Sequence, residues 1–247
     1  MPTNAQVRLN GVLLDLYGTT VDIEVDEDSP RLWHGLAAAL GTTRAPVEPP
    51  EVRRLFQTFL QEEAQRGREG FLMEPVLRRL VASLDADQNI ERIGKLFREL
   101  SMKQMQLRPY VEPLFDRLHR SGIKLGIVSN TEAVLTRFEL DRYPILQTAE
   151  AIVLSSEAGV RKPDPQIFQV AMDRIGAVPA TAVFIGNDWA ADILGAIRVG
   201  LKAIYVNDQA AESIKITTGE SHAIEVAPTL EAIVGALRIF GWQEVAS

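Results

Sequence analysis

The chain has no cysteine among its 247 residues. Disulfides, thiolate metal centres and cysteine nucleophiles are therefore excluded. Positive charge is also in short supply: 26 Lys and Arg stand against 33 Asp and Glu, for a formal net charge of -7. That balance repels nucleic acid and anionic membrane surfaces, so neither is expected as a partner. No stretch approaches the roughly 18 apolar residues of a membrane span, and residues 1–10 lack the basic and apolar regions of a signal peptide. The expectation is a soluble, cytoplasmic protein. Only three histidines occur. His34, beside Trp33 on an amphipathic stretch, reads as packing, and His119 and His222 read as surface residues. What the chain does have is 46% apolar and 24% charged content. That suits one large folded domain or two modest ones.

Short apolar runs recur along the chain: residues 11–14, 123–129, 151–154, 182–186 and 201–206. Amphipathic stretches lie between them, at 111–121, 131–140, 165–175 and 190–199. Strands alternating with helices of this length predict βαβ units and a parallel sheet, a Rossmann-like three-layer α/β core. Residues 28–107 break the rhythm. They offer helix patterns at 30–40, 50–65, 73–84 and 89–106 and no convincing strand, with Pro46, Pro49 and Pro50 marking a break. The simplest account is a small all-helical domain at 25–107 inserted into a core made of 1–24 and 108–247. Residues 229–241 read as a closing helix.

Ligands of an open parallel sheet bind at the carboxyl ends of its strands, near the switch in strand order. Polar residues fall at those positions here. Asp15 follows the first run, Ser129 and Asn130 the second, Lys162 lies in the loop after the third, and Asn187, Asp188 and Asp192 follow the fourth. Each has a plainer reading: a strand-end Asp is often a turn former, Ser-Asn often caps a helix, and a loop Lys is often solvated. Their joint arrival at one edge favours a site. Pro163 and Pro165 would stiffen the Lys162 loop.

Asp15-Leu-Tyr17-Gly18-Thr19 resembles the first motif of the haloacid dehalogenase superfamily. Ser129-Asn130 is similar to the second motif, the segment from Gly159 through Lys162 to Pro165 to the third, and Gly186-Asn187-Asp188 through Asp192 to the fourth. The insertion after the first motif matches the superfamily's cap domain. The resemblance implies that Asp15 is a nucleophile forming a covalent aspartyl intermediate. It implies that Thr19 orients the reacting group, that Ser129, Asn130 and backbone N–H groups bind anionic oxygens, and that Lys162 neutralises charge. Repulsion between two like charges about 4 Å apart is about 4 kcal/mol at an effective dielectric of about 20, so a cation beside an anionic nucleophile is close to required for a small anionic substrate. Mg²⁺ is the implied cofactor, with Asp15, the Tyr17 carbonyl, Asn187, Asp188 and Asp192 as oxygen donors.

Two positions depart from the phosphatases of that superfamily. Tyr17 stands where they carry a second Asp as general acid and base, and Asn187 stands where their fourth motif carries Asp. The Asp-x-Tyr-Gly-Thr form is similar to the metal-independent 2-haloacid dehalogenases. Those, however, carry a Tyr where this chain has Phe168, and only Arg31 and Arg44 offer themselves in the insertion as substrate-carboxylate binders. The favoured reading is a Mg²⁺-assisted phosphatase of a small phosphorylated metabolite. A 2-haloacid dehalogenase and a catalytically weak binding protein of the same fold stay open, and oligomeric state is not legible.

Overall fold

The computed structural model describes residues 8–41, 46–67, 70–211, 214–218 and 221–244. β1 (Gly11–Leu14) leads through a tight turn into β2 (Val21–Val25), followed by α1 (Pro30–Leu40), α2 (Pro49–Gln65), α3 (Met73–Ser83) and α4 (Ile90–Ser101). β3 (Met102–Leu107) then pairs with β2. Next come α5 (Val111–Arg120), β4 (Lys124–Ser129), α6 (Ala133–Leu140), β5 (Ala151–Leu154), α7 (Ser155–Ala158) and α8 (Pro165–Ile175). β6 (Ala182–Gly186), a wide π-type turn at Trp189–Ile193, α9 (Leu194–Arg198) and β7 (Lys202–Val206) follow. A hairpin of β8 (Ile214–Thr218) and β9 (Ser221–Val226) precedes α10 (Leu230–Ile239).

The chain divides into two compact units, the first formed by residues 1–22, 106–129 and 143–247. Its sheet runs β5-β4-β1-β6-β7-β9-β8, parallel except for β8 at the edge. Numbered by appearance, the six parallel strands stand in the order 3-2-1-4-5-6, so strand order reverses between β1 and β6. β1 and β6 are buried along their whole length, as continuous apolar runs covered on both faces should be. α8 and α9 pack on one face through Ile167, Phe168, Met172 and Ala196, and α5 and α10 lie against the other. Each fully buried Leu or Phe in such layers contributes about 1.5–3 kcal/mol. The expected Rossmann-like core is thus present. The β8–β9 hairpin is an addition that the sequence reading did not anticipate.

The second unit comprises residues 23–105 and 130–142. Trp33, Phe56 and Phe97 form its aromatic centre, with ring centroids 5.4 Å apart for Trp33–Phe56 and 5.2 Å for Phe56–Phe97. Asn89 caps α4 by accepting from the N–H groups of Glu91 and Arg92. The expected helix over 89–106 stops at Ser101, and Met102–Leu107 instead forms a strand that pairs with β2. Tertiary pairing overrides helix propensity there. Residues 130–142, which the sequence rhythm assigns to the core, group with these helices. The Glu132 carboxylate accepts from the N–H groups of Leu72, Met73 and Glu74 at 2.8, 2.7 and 3.0 Å, satisfying the otherwise orphaned first turn of α3. Arg98 of α4 pairs with the buried Glu139 of α6 at 3.0 Å. Trp33 is buried as expected, Arg31 is exposed, and Arg44 lies outside the described residues. Among the described residues no helix is long and apolar enough to cross a membrane.

Two glycines probe this packing. A Cβ on Gly94 of α4 would lie 2.4 Å from the Val134 carbonyl oxygen, whereas one on Gly235 of α10 would meet open space. In urea unfolding, Gly94→Ala is expected to lose about 1–3 kcal/mol through overpacking. Gly235→Ala is expected to gain about 0.5–1 kcal/mol from helix propensity. Equal effects at the two positions would contradict the α4–α6 contact.

Candidate active site

Asp15 stands one residue beyond β1, and its N–H donates to Ile185 O of β6 at 2.9 Å, which fixes it at the point where strand order reverses. The turn after it is closed by several bonds. The N–H groups of Thr20 and Val21 donate to Leu16 O at 2.8 and 2.9 Å, and Gly18 N–H donates to Val21 O at 2.7 Å. Thr20 Oγ1 donates to Leu16 O at 2.8 Å and reaches Asp15 O at 3.2 Å. Gly18 adopts a φ of 79° that favours glycine.

Lys162 is 3% exposed and reaches Asp15 Oδ1 at 2.5 Å, Asp192 Oδ1 at 2.7 Å and Val128 O at 2.9 Å. A buried ammonium is tolerable only with such partners. Burial alone would lower the Lys162 pKa, but Asp15 and Asp192 together raise it, so the ammonium stays charged. Burial pushes the Asp15 carboxyl up to about 6, with Asp192 adding to the rise and Lys162 pulling the other way. The adjacent Lys162 ammonium favours the charged form of Asp15.

Asp192 is 1% exposed, and both of its oxygens are engaged. Oδ1 pairs with Lys162, while Oδ2 accepts from the N–H groups of Asn187 and Asp188 at 3.1 and 3.0 Å. Gly186 makes this possible, since a Cβ there would lie 2.4 Å from Asp192 Oδ2. Asp188 is exposed and caps the π-turn, its Oδ1 accepting from Ala190 and Ala191 N–H at 2.9 Å each. Asp192 and Asp188 therefore depart from the expected metal set: the first binds Lys162 and the β6 loop, the second caps a helix. Among the described residues no group of three carboxylate or imidazole side chains gathers as a metal site.

Asn187 does approach Asp15. The inner end of its amide lies 3.3 Å from Asp15 Oδ2, 3.2 Å from Tyr17 O and 3.2 Å from Thr19 Oγ1. With nitrogen inward it donates to all three. With oxygen inward it accepts from Thr19 Oγ1 but faces the Asp15 carboxylate and the Tyr17 carbonyl, an arrangement that a cation makes favourable. One carboxylate and two neutral carbonyls thus fit a single hard cation with water filling the rest of its shell. Ser129 is buried at the end of β4, and Asn130, next in the chain, belongs to the second unit.

Sequence reasoning missed the residues that hold this loop from behind. Tyr110 Oη donates to Thr19 O, Arg108 N–H donates to Thr20 O at 3.0 Å, and the Arg108 guanidinium binds Asp22 at 2.9 Å and Asp208 at 2.6 and 3.0 Å. The only signal was a Thr-Thr pair after Gly18, which names no distant partner.

Residues 9–200 match the family model of haloacid dehalogenase-like hydrolases. The chain belongs to that family. It is 32% identical over 196 residues to the phosphoglycolate phosphatase of Xanthomonas campestris pv. campestris, covering 78% of this chain and 80% of the relative. It is 35% identical over 116 residues to the glyceraldehyde 3-phosphate phosphatase of Methanothermobacter thermautotrophicus, covering 46% of this chain and 51% of the relative. The chain spans about half the length of that relative and of others like it. A solved HAD phosphatase from Thermococcus onnurineus superposes with a TM-score of 0.61 at 23% identity over 96% of this chain and 100% of that one. Solved 2-haloacid dehalogenases share the fold as well, so the haloacid dehalogenase-like architecture by itself does not choose between the two chemistries.

Removing the Asp192 side chain leaves the buried Lys162 ammonium with one carboxylate. Asp192→Ala is expected to lose about 3–5 kcal/mol of stability, read by chemical unfolding. A loss under about 1 kcal/mol would mean that Asp15 alone holds the ammonium.

Proposed function

We propose that this chain is a phosphoric monoester hydrolase that works through a covalent aspartyl-phosphate on Asp15, with Mg²⁺ as its cofactor and a small phosphorylated metabolite as its substrate. The carrying observation is the buried Lys162 held against Asp15 at 2.5 Å. It keeps the nucleophile ionised while offsetting its repulsion of an anionic substrate. The phosphatase names of the relatives support the same reading.

In this mechanism an Asp15 oxygen attacks phosphorus and water later hydrolyses the acyl-phosphate. Thr19 orients the reacting group, Ser129 and Asn130 bind its oxygens, and Asp192 acts as a positioning residue for Lys162. Mg²⁺, held by Asp15, the Tyr17 carbonyl and Asn187 Oδ1, would neutralise charge on the transferring group. The second unit corresponds to the superfamily's cap domain, and the protein works in the cytoplasm without a nucleic-acid or membrane partner. A metal-independent 2-haloacid dehalogenase is the second reading. The nitrogen-inward Asn187 amide favours it, because that amide closes the same position without a cation.

The test is phosphate release from para-nitrophenyl phosphate with and without Mg²⁺, beside halide release from L-2-chloropropionate. Mg²⁺-dependent phosphate release that disappears in Asp15→Asn is the expected result. Halide release without metal, and no phosphate release, would overturn it.

A further inference from the structure

We propose that the Asp15 site selects phosphoryl compounds whose leaving oxygen departs without a proton: acyl, enol and aryl phosphates in preference to phosphates of ordinary alcohols. This rests on the phosphatase reading above and names its substrate class.

Cleavage has two demands. An Asp15 oxygen forms a bond to phosphorus, the bond from phosphorus to the substrate oxygen breaks, and that oxygen leaves with the electron pair. An alkoxide is a strong base and needs a proton as the bond breaks, a service that a positioned acid supplies at about 10²–10⁴-fold in rate. A carboxylate, enolate or phenolate is a weak enough base to leave as the anion. In the second step water attacks phosphorus, the bond to Asp15 breaks, and the water proton passes to the released phosphate. The leaving group of that step is the Asp15 carboxylate itself, which needs no proton.

Among the described residues of the first unit, the side chains beside Asp15 do not include an acid suited to the first step. Lys162 is committed to Asp15 Oδ1, Asp192 Oδ1 and Val128 O, and giving up its proton would leave two buried carboxylates facing each other. Asp192 Oδ2 accepts from the N–H groups of Asn187 and Asp188, and its Oδ1 is held in an ion pair 2.7 Å from the Lys162 ammonium. Asp188 accepts from Ala190 and Ala191 at the head of the π-turn. Thr20 gives its hydroxyl to the Leu16 carbonyl, and Asn187 carries no titratable proton. Tyr17, two residues beyond Asp15, carries a phenol, by chemical nature a far weaker acid than a carboxyl group. His119, at the end of the helix leading into β4, and His222, at the start of β9, stand at the opposite edge of the sheet.

The experiment follows kcat/KM of the full chain in Mg²⁺ across acetyl phosphate, phosphoenolpyruvate, para-nitrophenyl phosphate, phenyl phosphate, phosphoglycolate and glycerol phosphate. The expected series falls by about 10²-fold or more from acetyl and para-nitrophenyl phosphate to the two alkyl phosphates, and Tyr17→Asp narrows that gap to less than about tenfold. A flat series with wild-type protein, still lost in Asp15→Asn, would overturn the leaving-group preference and leave the phosphatase reading standing. No Asp15-dependent phosphate release from any of the six would overturn both.

Discussion

A buried ammonium organises this molecule. Lys162 sits between Asp15 and Asp192, and the three groups form a sealed cluster that no single member could occupy alone. The carboxylates come from loops after β1 and β6, and the third ligand, Val128 O, comes from β4. One side chain thereby ties together the ends of three neighbouring strands. Other local features serve this arrangement. Gly186 lacks a side chain so that Asp192 can fold back, and the Leu16–Val21 turn closes so that Asp15 faces inward.

The sheet supplies the frame for that cluster. Strand order reverses between β1 and β6, and in such a parallel sheet the switch in order is where the strand ends leave a crevice. Asp15 and Asn187 flank that crevice. Behind the first of them, Arg108 and Tyr110 grip the carbonyls of Thr20 and Thr19, and Arg108 reaches Asp208 in the loop after β7. The Asp15 turn is thus braced by the chain returning from β3 as well as by its own bonds.

What could be read from the residues alone follows from the same physics. A strand buried on both faces must be a continuous apolar run, so β1, β4, β5, β6 and β7 were legible, and the polar residues at their ends were legible as a group. The β2–β3 ribbon and the β8–β9 hairpin were not, because their alternation is weak and their pairing joins distant segments. The grouping of residues 130–142 with the second unit rests on Glu132 capping α3 and on Arg98 meeting Glu139, contacts between segments far apart in sequence. Asp192 shows the limit most clearly. Its residue type suits a cation, and only the tertiary contacts assign its two oxygens to Lys162 and to backbone N–H groups.

The two departures from the phosphatase pattern act on one quantity, the charge around Asp15. Asp15, Asp192 and Lys162 together carry one net negative charge. Carboxylates at positions 17 and 187 would add two more within the same turn, and such a cluster could hold together only around a tightly bound cation. With a phenol and an amide instead, the site is folded and satisfied by its own hydrogen bonds, and Asn187 can present either a donor or an acceptor to Asp15 and Tyr17. Under the function proposed above, lower charge would favour anionic substrates and leave no carboxyl group at position 17 to give up a proton, so that the basicity of the departing group, more than the affinity for its phosphate, would decide what is cleaved.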